Sequence, residues 1–332
     1  MATLNTQLLT LADHAKLYGP DGKPAMIAEM LSETNEILDD MLWREGNLAT
    51  GTRTTVRTGL PQGTWRALNQ GVLPTKSTVA TVDESAGMLD ALGIVDKALA
   101  DLNGNTNAFR LQENRAFVEG LNQQMASALF YANDGFNPGQ FLGLAPRYSD
   151  KSAVNAQNII DMGGSNNANA SIWLINWGED VHGIYPKGTQ AGLEHQDMGV
   201  ELVDDNTNRS AKFRAYRDYY SWKSGIAVRD WRNVVRIANI DSEQLMEEGE
   251  DGTTKIYNAM IRALHRIPAR SRNSKLAFYM NRTAAENIDV AALNLKNIRL
   301  AVGEEAGRLV TTIRGVPIRT VDALLDTEAN VV

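Results

Sequence analysis

The sequence predicts a mixed α+β fold, and three patterns lead to that prediction. Residues 106–133 have the apolar periodicity of one long helix. Residues 50–82 are rich in Thr, Val and Arg and are typical of polar strands with little apolar face. The second half of the chain alternates amphipathic helices with apolar strands, beginning with SIWLINW at residues 171–177. Helices and strands are thus mixed without a regular βαβ repeat.

Composition limits the classes of protein to consider. The chain has 332 residues, of which 43% are hydrophobic and 22% charged, so it can bury a large core in one or two domains. It contains no Cys, which excludes disulfide scaffolds, Cys-ligated metals and thiol nucleophiles. Its net charge of -7 argues against a protein that binds nucleic acid over its whole surface by neutralising many phosphates. We expect no export signal, no membrane insertion and synthesis in the cytoplasm.

The N-terminal arm, residues 1–49, contains one predicted helix. Across residues 24–46 apolar side chains, including Met30 and Leu38, recur every three or four positions, and Gly46 suits the helix end. This helix precedes any evident core. Its apolar stripe must therefore pack on later sequence or on another chain.

Residues 50–84 are predicted to form an extended β-ribbon. Alternation in a strand places Arg53 and Arg57 on one face, where both guanidinium groups would point at an acidic partner. Trp65 and Leu68, with Arg66 between them, lie near the tip as apolar anchors. An isolated two-stranded ribbon is marginal in water, so this segment needs a partner surface. The alternative interpretation is an active-site lid or an unstructured loop.

Helical patterns follow the ribbon. Residues 85–101 carry apolar side chains at spacings that predict a short helix, which Gly104 and its Asn neighbours end. Residues 106–133 predict a longer one, about 40 Å in length at 1.5 Å per residue. Its predicted apolar stripe begins with Leu111 and Val118. We interpret this helix as the backbone of the fold.

Beyond Gly135 the chain becomes turn-rich, and a second domain is predicted to start. Strands are expected near residues 183–185, 200–203, 212–222, 227–237 and 275–280, and two more turn at Gly315. Helices are expected at 253–265 and from Thr283. Residues 212–236 mix aromatic and basic side chains, which suits either base stacking on nucleic acid or a half-buried sheet, and we favour the sheet.

Catalytic motifs are not evident. The segment GVLPTKS lacks the Gly that a phosphate-binding loop places before its Lys. His182 and His195 lie among acidic residues, so a hydrolase or metal site could be drawn from them, although exposed loop residues explain them equally well. We predict no catalytic residue, no cofactor and no metal.

The order of these segments resembles the coat proteins of tailed bacteriophages, which have the Hong Kong 97-like capsid fold. Within that family the chain looks like the major capsid proteins of short-tailed, double-stranded DNA phages, a Bordetella phage among them. The segments that carry the likeness are EGNLATGTRTTVRTGLPQGTWRALNQGV, ENRAFVEGLNQQMASALFY, GFNPGQFLGLAPRY, VRDWRNVVRIANI and GVPIRTVDALL.

This resemblance implies a division of the chain. Residues 1–49 would be the N-terminal arm, 50–84 the extended loop, and 85–145 the spine helix with the first part of the peripheral domain. Residues 146–224 would form the axial domain at capsomer centres. Residues 225–332 would complete the peripheral domain, with some strands in the axial domain.

The resemblance also implies a function. The chain would be a structural protein, not an enzyme, that self-assembles as pentamers and hexamers into an icosahedral shell around double-stranded DNA in the host cytoplasm. Scaffolding and portal proteins, and in some shells a cement protein, would be its partners, with weak non-specific contact to DNA. The predicted inter-subunit contacts are Arg53, Arg57, Trp65, Arg66, Leu68, Met30 and Leu38. The alternative is a hydrolase with a lid at residues 50–82 and a site near His182 and His195.

Overall fold

The computed structural model describes residue 9 and residues 33–102, 104–164, 168–205, 211–241, 250–268, 275–294, 300–305 and 308–332. The strands are β1 Trp43–Glu45, β2 Gly51–Gly59, β3 Thr78–Ser85, β4 Gly87–Asp96, β5 Ile159–Asp161, β6 Asn169–Trp177, β7 Val181–Tyr185, β8 Leu193–Asp204, β9 Lys212–Val228, β10 Val234–Asp241, β11 Lys275–Met280, β12 Leu300–Glu305, β13 Arg308–Ile313 and β14 Val316–Thr320. The helices are α1 Ile37–Asp40, α2 Lys97–Ala100, α3 Thr106–Tyr131, α4 Leu144–Arg147, α5 Glu250–Arg266 and α6 Arg282–Asn294.

A seven-stranded mixed sheet forms the larger layer, in the order β12-β13-β14-β11-β6-β10-β5. Its central strand β6 is buried along its whole length. Trp173 and Ile175 on one face pack with the end of α3, whereas Ile172 and Leu174 on the other pack with α5 and α6. Helices or the second sheet therefore cover both faces, which explains why the segment SIWLINW is almost continuously apolar.

The second sheet is organised around the 17-residue strand β9. Strand β4 pairs with one edge of β9 and β8 with the other, so that Tyr220 of β9 lies between Ala91 and His195. Strand β7 pairs antiparallel with the last residues of β9, from Val181 opposite Val228 to Ile184 opposite Gly225. Strand β7 also pairs in parallel with β1. The strand predicted at residues 212–222 is thus confirmed as part of β9. The strand predicted at 227–237 is divided, because β9 ends at Val228, Trp231–Asn233 form a short 3-10 turn, and β10 begins at Val234 in the other sheet.

The long helix α3 is confirmed over 26 residues, but only part of its predicted stripe is buried. Its second half packs Leu121, Met125 and Leu129 into the main core. Leu111 and Val118 are 56% and 45% exposed and border a groove beside Tyr220. The prediction that both belong to the internal stripe is wrong, because the first half of the helix turns Phe109, Arg110 and Phe117 toward the sheet around β9 and leaves Leu111 and Val118 beside the groove.

The helix predicted at residues 85–101 is wrong except for α2. Residues 87–96 form β4 and pair with β9 over ten positions, from Gly87 opposite Ser224 to Asp96 opposite Ala215. Alternate residues of β4 turn inward, and Val95 is buried whereas Met88 is exposed. A long ladder with β9 therefore outweighs a local periodicity that is compatible with a helix.

The helix predicted over residues 24–46 is also corrected at its end. Only Ile37–Asp40 is helical among residues 33–46, and the chain then extends into β1 beside β7. Trp43 lies opposite Gly183, where a β-carbon would approach the indole ring to 2.7 Å, so the small residue permits the pairing. Residues 24–32 lie outside the described part of the chain.

Most of the second half matches the predictions. The strand at 275–280 is β11, the helices at 253–265 and from Thr283 are α5 and α6, and β13 and β14 turn at Gly315. The sheets do not follow the predicted ranges 146–224 and 225–332, because β6 and β7 belong to different sheets and β9 continues across the boundary. No helix within the described ranges is both long and apolar enough to cross a membrane.

Candidate assembly surface

A two-stranded antiparallel ribbon projects from the subunit. Strands β2 and β3 pair from Gly51 opposite Ser85 to Gly59 opposite Thr78. Within the described part of the chain these strands form a sheet of their own. Nine residues in extended conformation reach about 30 Å. The ribbon predicted at residues 50–84 is therefore present, and most of its side chains are exposed.

The two arginines of the ribbon differ in their surroundings. Arg53 donates from Nε to Oδ1 of Asp83 at 2.6 Å and from Nη2 to Oδ2 at 2.7 Å. These bonds hold the pKa of the Asp83 carboxyl below its ordinary value. Arg57 lies opposite Val79, and among the described residues it has no acidic partner. Only Arg57 therefore presents an unpaired charge of the kind predicted for both.

The tip of the ribbon exposes apolar side chains to solvent. The side chains of Trp65 and Leu68 are fully or almost fully exposed, at 102% and 92%. Arg66 donates to the carbonyl of Gln70 at 3.1 Å, which is a contact within the tip. Leu60, Val72 and Leu73 are exposed as well. Exposed apolar side chains of this kind on a projecting loop are typical of interaction surfaces.

The arm residues behave differently from the ribbon. Leu38 is half-buried and packs against the main core of its own chain, and Met30 lies outside the described residues. The backbone N–H of Glu33 donates to Glu119 of α3 at 3.0 Å, and that of Thr34 donates to Asp322 at 2.9 Å. The arm therefore joins the body of the subunit beside the spine helix.

The two histidines do not form one site. His182 pairs with Ala227 and His195 with Tyr220 on β9, so seven strand residues, about 23 Å, separate them. An odd separation also places the two side chains on opposite faces of the sheet. Nε2 of His195 donates a hydrogen bond at 2.9 Å to Oδ1 of Asp218, which also accepts from Arg110. No group of three potential metal ligands occurs among the described residues.

Sequence patterns did not predict the contact that joins the ribbon to the body of the subunit. Glu84 at the end of β3 and Arg147 at the end of α4 form a buried ion pair across 63 positions of sequence. No local pattern marks either residue. The additional tip residues Leu60 and Leu73 could have been found, because apolar side chains in a Gly- and Pro-rich segment without a core are unusual.

Comparison with known proteins identifies the fold. A structure of bacteriophage Epsilon15 has 32% sequence identity with this chain and a TM-score of 0.80, and the match covers 100% of this chain and 99% of that one. The encapsulin SrpI from Synechococcus elongatus PCC 7942 has 11% identity, a TM-score of 0.44 and coverage of 70% and 96%. The capsid of a native GTA particle has 10% identity, a TM-score of 0.46 and coverage of 72% and 100%.

The family profile agrees with the Epsilon15 match. A search among curated proteins finds no significant match. None of these results supports a Bordetella phage as the source. The profile described as "Major capsid protein GP7" matches residues 19–332, nearly the whole chain. The predicted Hong Kong 97-like fold and the predicted structural role in a virion capsid are therefore confirmed, and the hydrolase interpretation has no support. The chain belongs to the GP7 family of major capsid proteins.

Proposed function

We propose that the chain assembles as pentamers and hexamers into a closed icosahedral shell around double-stranded DNA, with the ribbon of each copy lying across a neighbouring copy. The exposed apolar tip is the observation that carries this proposal. Trp65 and Leu68 gain little from their own chain, since their side chains remain in solvent. Burying a large apolar side chain is worth about 1.5–3 kcal/mol, which many identical contacts in a shell would multiply.

The ribbon also has the charge of a contact element. Residues 50–84 contain the basic residues Arg53, Arg57, Arg66 and Lys76 and, at the root, the acidic residues Asp83 and Glu84, so the ribbon carries two net positive charges whereas the whole chain has a net charge of -7. A basic projection on an acidic molecule attracts the body of another copy and repels another ribbon. This asymmetry favours ribbon-to-body contacts.

The two sheets suggest a division of labour in the shell. We assign the sheet around β9, together with α3, to the peripheral domain, and the seven-stranded sheet with α5 and α6 to the axial domain. This assignment replaces the single range 146–224 by β5 and β6 combined with later strands. Scaffolding and portal proteins, and a cement protein in some shells, are proposed partners, and assembly is proposed to occur in the host cytoplasm without enzymatic activity of this chain.

The test of the tip is a double substitution, Trp65→Ser with Leu68→Ser. Since both side chains are exposed in the subunit, we expect its thermal unfolding to change by less than about 0.5 kcal/mol. Shell yield, measured by negative-stain electron microscopy and light scattering, should fall at least tenfold. The matched control, Trp65→Phe with Leu68→Met, retains apolar surface at both positions and should assemble. Normal shells from the serine variant would refute the proposed role of the tip.

A further inference from the structure

We propose that the buried Glu84–Arg147 ion pair is a positioning element, which fixes the direction of the ribbon relative to the body of the subunit. Through that direction it determines where the tip meets a neighbouring copy. The second statement rests on the proposed function, whereas the first concerns the isolated subunit alone.

The pair joins the ribbon to three other segments. Arg147 donates from Nη1 to Oε1 of Glu84 at 2.8 Å, and its Nη2 bonds the other carboxylate oxygen, in a two-pronged arrangement. The same guanidinium donates to the carbonyl of Leu142 at 3.1 Å and to that of Ile226 at 3.4 Å. Glu84 thereby connects β3 to α4, to the loop after α3 and to β9.

Burial makes this connection specific. The side chains of Glu84 and Arg147 are only 6% and 14% exposed. A bidentate pair between buried groups tolerates little change in angle, because each charge loses its compensation when the partner moves away. The pair therefore opposes rotation of the ribbon more strongly than an exposed pair would.

The backbone at the root is packed closely as well. Gly51, with φ of +153°, pairs with Ser85, and a β-carbon on it would lie 2.0 Å from the carbonyl oxygen of Glu84. A β-carbon on Gly225 would lie 2.5 Å from the carbonyl oxygen of Ser85. The amide of Asn47 bonds both backbone groups of Arg53, at 2.7 Å each. Both strands are thus held where they leave the body.

The length of the ribbon explains why its direction matters. For a lever of about 30 Å, a rotation of roughly 10° at the root displaces the tip by about 5 Å. A displacement of that size exceeds the distance of about 4 Å within which apolar side chains are in contact, so Trp65 would lose contact with a partner surface. Small losses of angular control at Glu84 would therefore be amplified at the tip.

Asp83, the neighbour of Glu84, provides a matched control. Its ion pair with Arg53 is exposed, at 55% and 56%, and both residues belong to the ribbon. Removing that pair alters contacts between the two strands but none between ribbon and body. Glu84→Gln and Asp83→Asn are adjacent substitutions of the same chemical kind with different expected effects.

The experiment measures the ribbon direction in the unassembled subunit. Because the chain contains no Cys, Thr81→Cys on the ribbon and Ala116→Cys on α3 introduce two unique spin-label sites at exposed positions. Pulsed electron–electron double resonance then gives the distribution of distances between the two labels. We expect a narrow distribution in the parent and in Asp83→Asn, and at least a twofold broader one in Glu84→Gln.

A second variant protects the test against misfolding. Glu84→Gln with Arg147→Met removes both charges and leaves no unpaired guanidinium, so the body should fold with little loss of stability. It should still broaden the distance distribution. A narrow distribution in both variants would overturn the proposal, even if their melting temperatures fall, because the pair would then contribute only to stability.

Assembly separates this inference from the proposed function. If broadening is accompanied by aberrant or fewer shells, the pair positions the ribbon for assembly. Broadening with normal shells would overturn the assembly part of the inference. Should the Trp65→Ser, Leu68→Ser variant also assemble normally, the proposed role of the tip fails while the measured positioning of the ribbon stands.

Discussion

Glu328→Gln is expected to destabilise the subunit strongly, because Glu328 is the centre of a buried ionic network. Its Oε2 accepts from Nη2 of Arg236 at 2.8 Å and from the hydroxyl of Ser171, and its Oε1 accepts from the hydroxyl of Tyr131 at 2.5 Å. The side chains of Glu328 and Arg236 are each 4% exposed. The network thus joins the C-terminal segment to β6, β10 and the spine helix.

The magnitude follows from the charge that remains. With a glutamine at position 328, Arg236 keeps the backbone carbonyls of Tyr148 and Ala145 and the face of Trp173, 5.1 Å away, but no anionic partner. Leaving a buried charge without its partner costs about 3–5 kcal/mol. At about 2 °C per kcal/mol for a chain of this size, the melting temperature should fall by about 6–10 °C.

The assay is urea unfolding of unassembled subunits, followed by tryptophan fluorescence. Arg236→Met combined with Glu328→Leu removes both charges and should recover most of the lost stability, since a buried pair often contributes little relative to apolar residues. Asp204→Asn is the control, because its pair with Lys212 is more than half exposed and should contribute less than about 1 kcal/mol. A loss below about 1 kcal/mol for Glu328→Gln would refute the reasoning.

Two further predictions concern charge. Arg57→Ala should reduce shell yield more than Arg53→Ala, because Arg53 is already neutralised by Asp83 whereas Arg57 has no acidic partner among the described residues; equal yields by light scattering would contradict this. Burial, with Arg229 and Arg44 nearby, lowers the pKa of His182 to about 4 from about 6.5. As the pH decreases, His182 therefore takes up its proton at a higher pH in the unfolded chain than in the folded one. The free energy of unfolding should fall by about 3 kcal/mol between pH 6.5 and pH 4. Urea unfolding across this range should show a shallower pH dependence in His182→Gln than in the parent, and identical slopes would disprove the assignment.

Local patterns predicted the elements that local interactions dominate. The 26-residue helix α3 and the fully buried, mostly apolar strand β6 have patterns that admit one interpretation, and both were located to within a few residues. The ribbon was recognisable because a polar, β-branched segment without an apolar face does not fit a packed core. Its tip residues Trp65 and Leu68 followed from the same reasoning.

Predictions failed where pairing partners decide the structure. Residues 87–96 have a spacing compatible with a helix, but the edge of β9 makes them a strand. Residues 43–45 extend because β7 offers a parallel edge and Gly183 leaves room for Trp43. Both cases depend on residues more than 90 positions away, which no local window contains.

The sequence by itself determined the α+β class, the spine helix, the projecting ribbon and the resemblance to phage coat proteins. The first three depend on composition and periodicity over short stretches of chain, whereas the resemblance rests on the order of the segments and on the residues within them. Only the tertiary structure decided which strands share a sheet, that His182 and His195 lie apart, and that Glu84 meets Arg147. Such contacts join distant segments, and their energies depend on burial and geometry that arise only when the chain has folded.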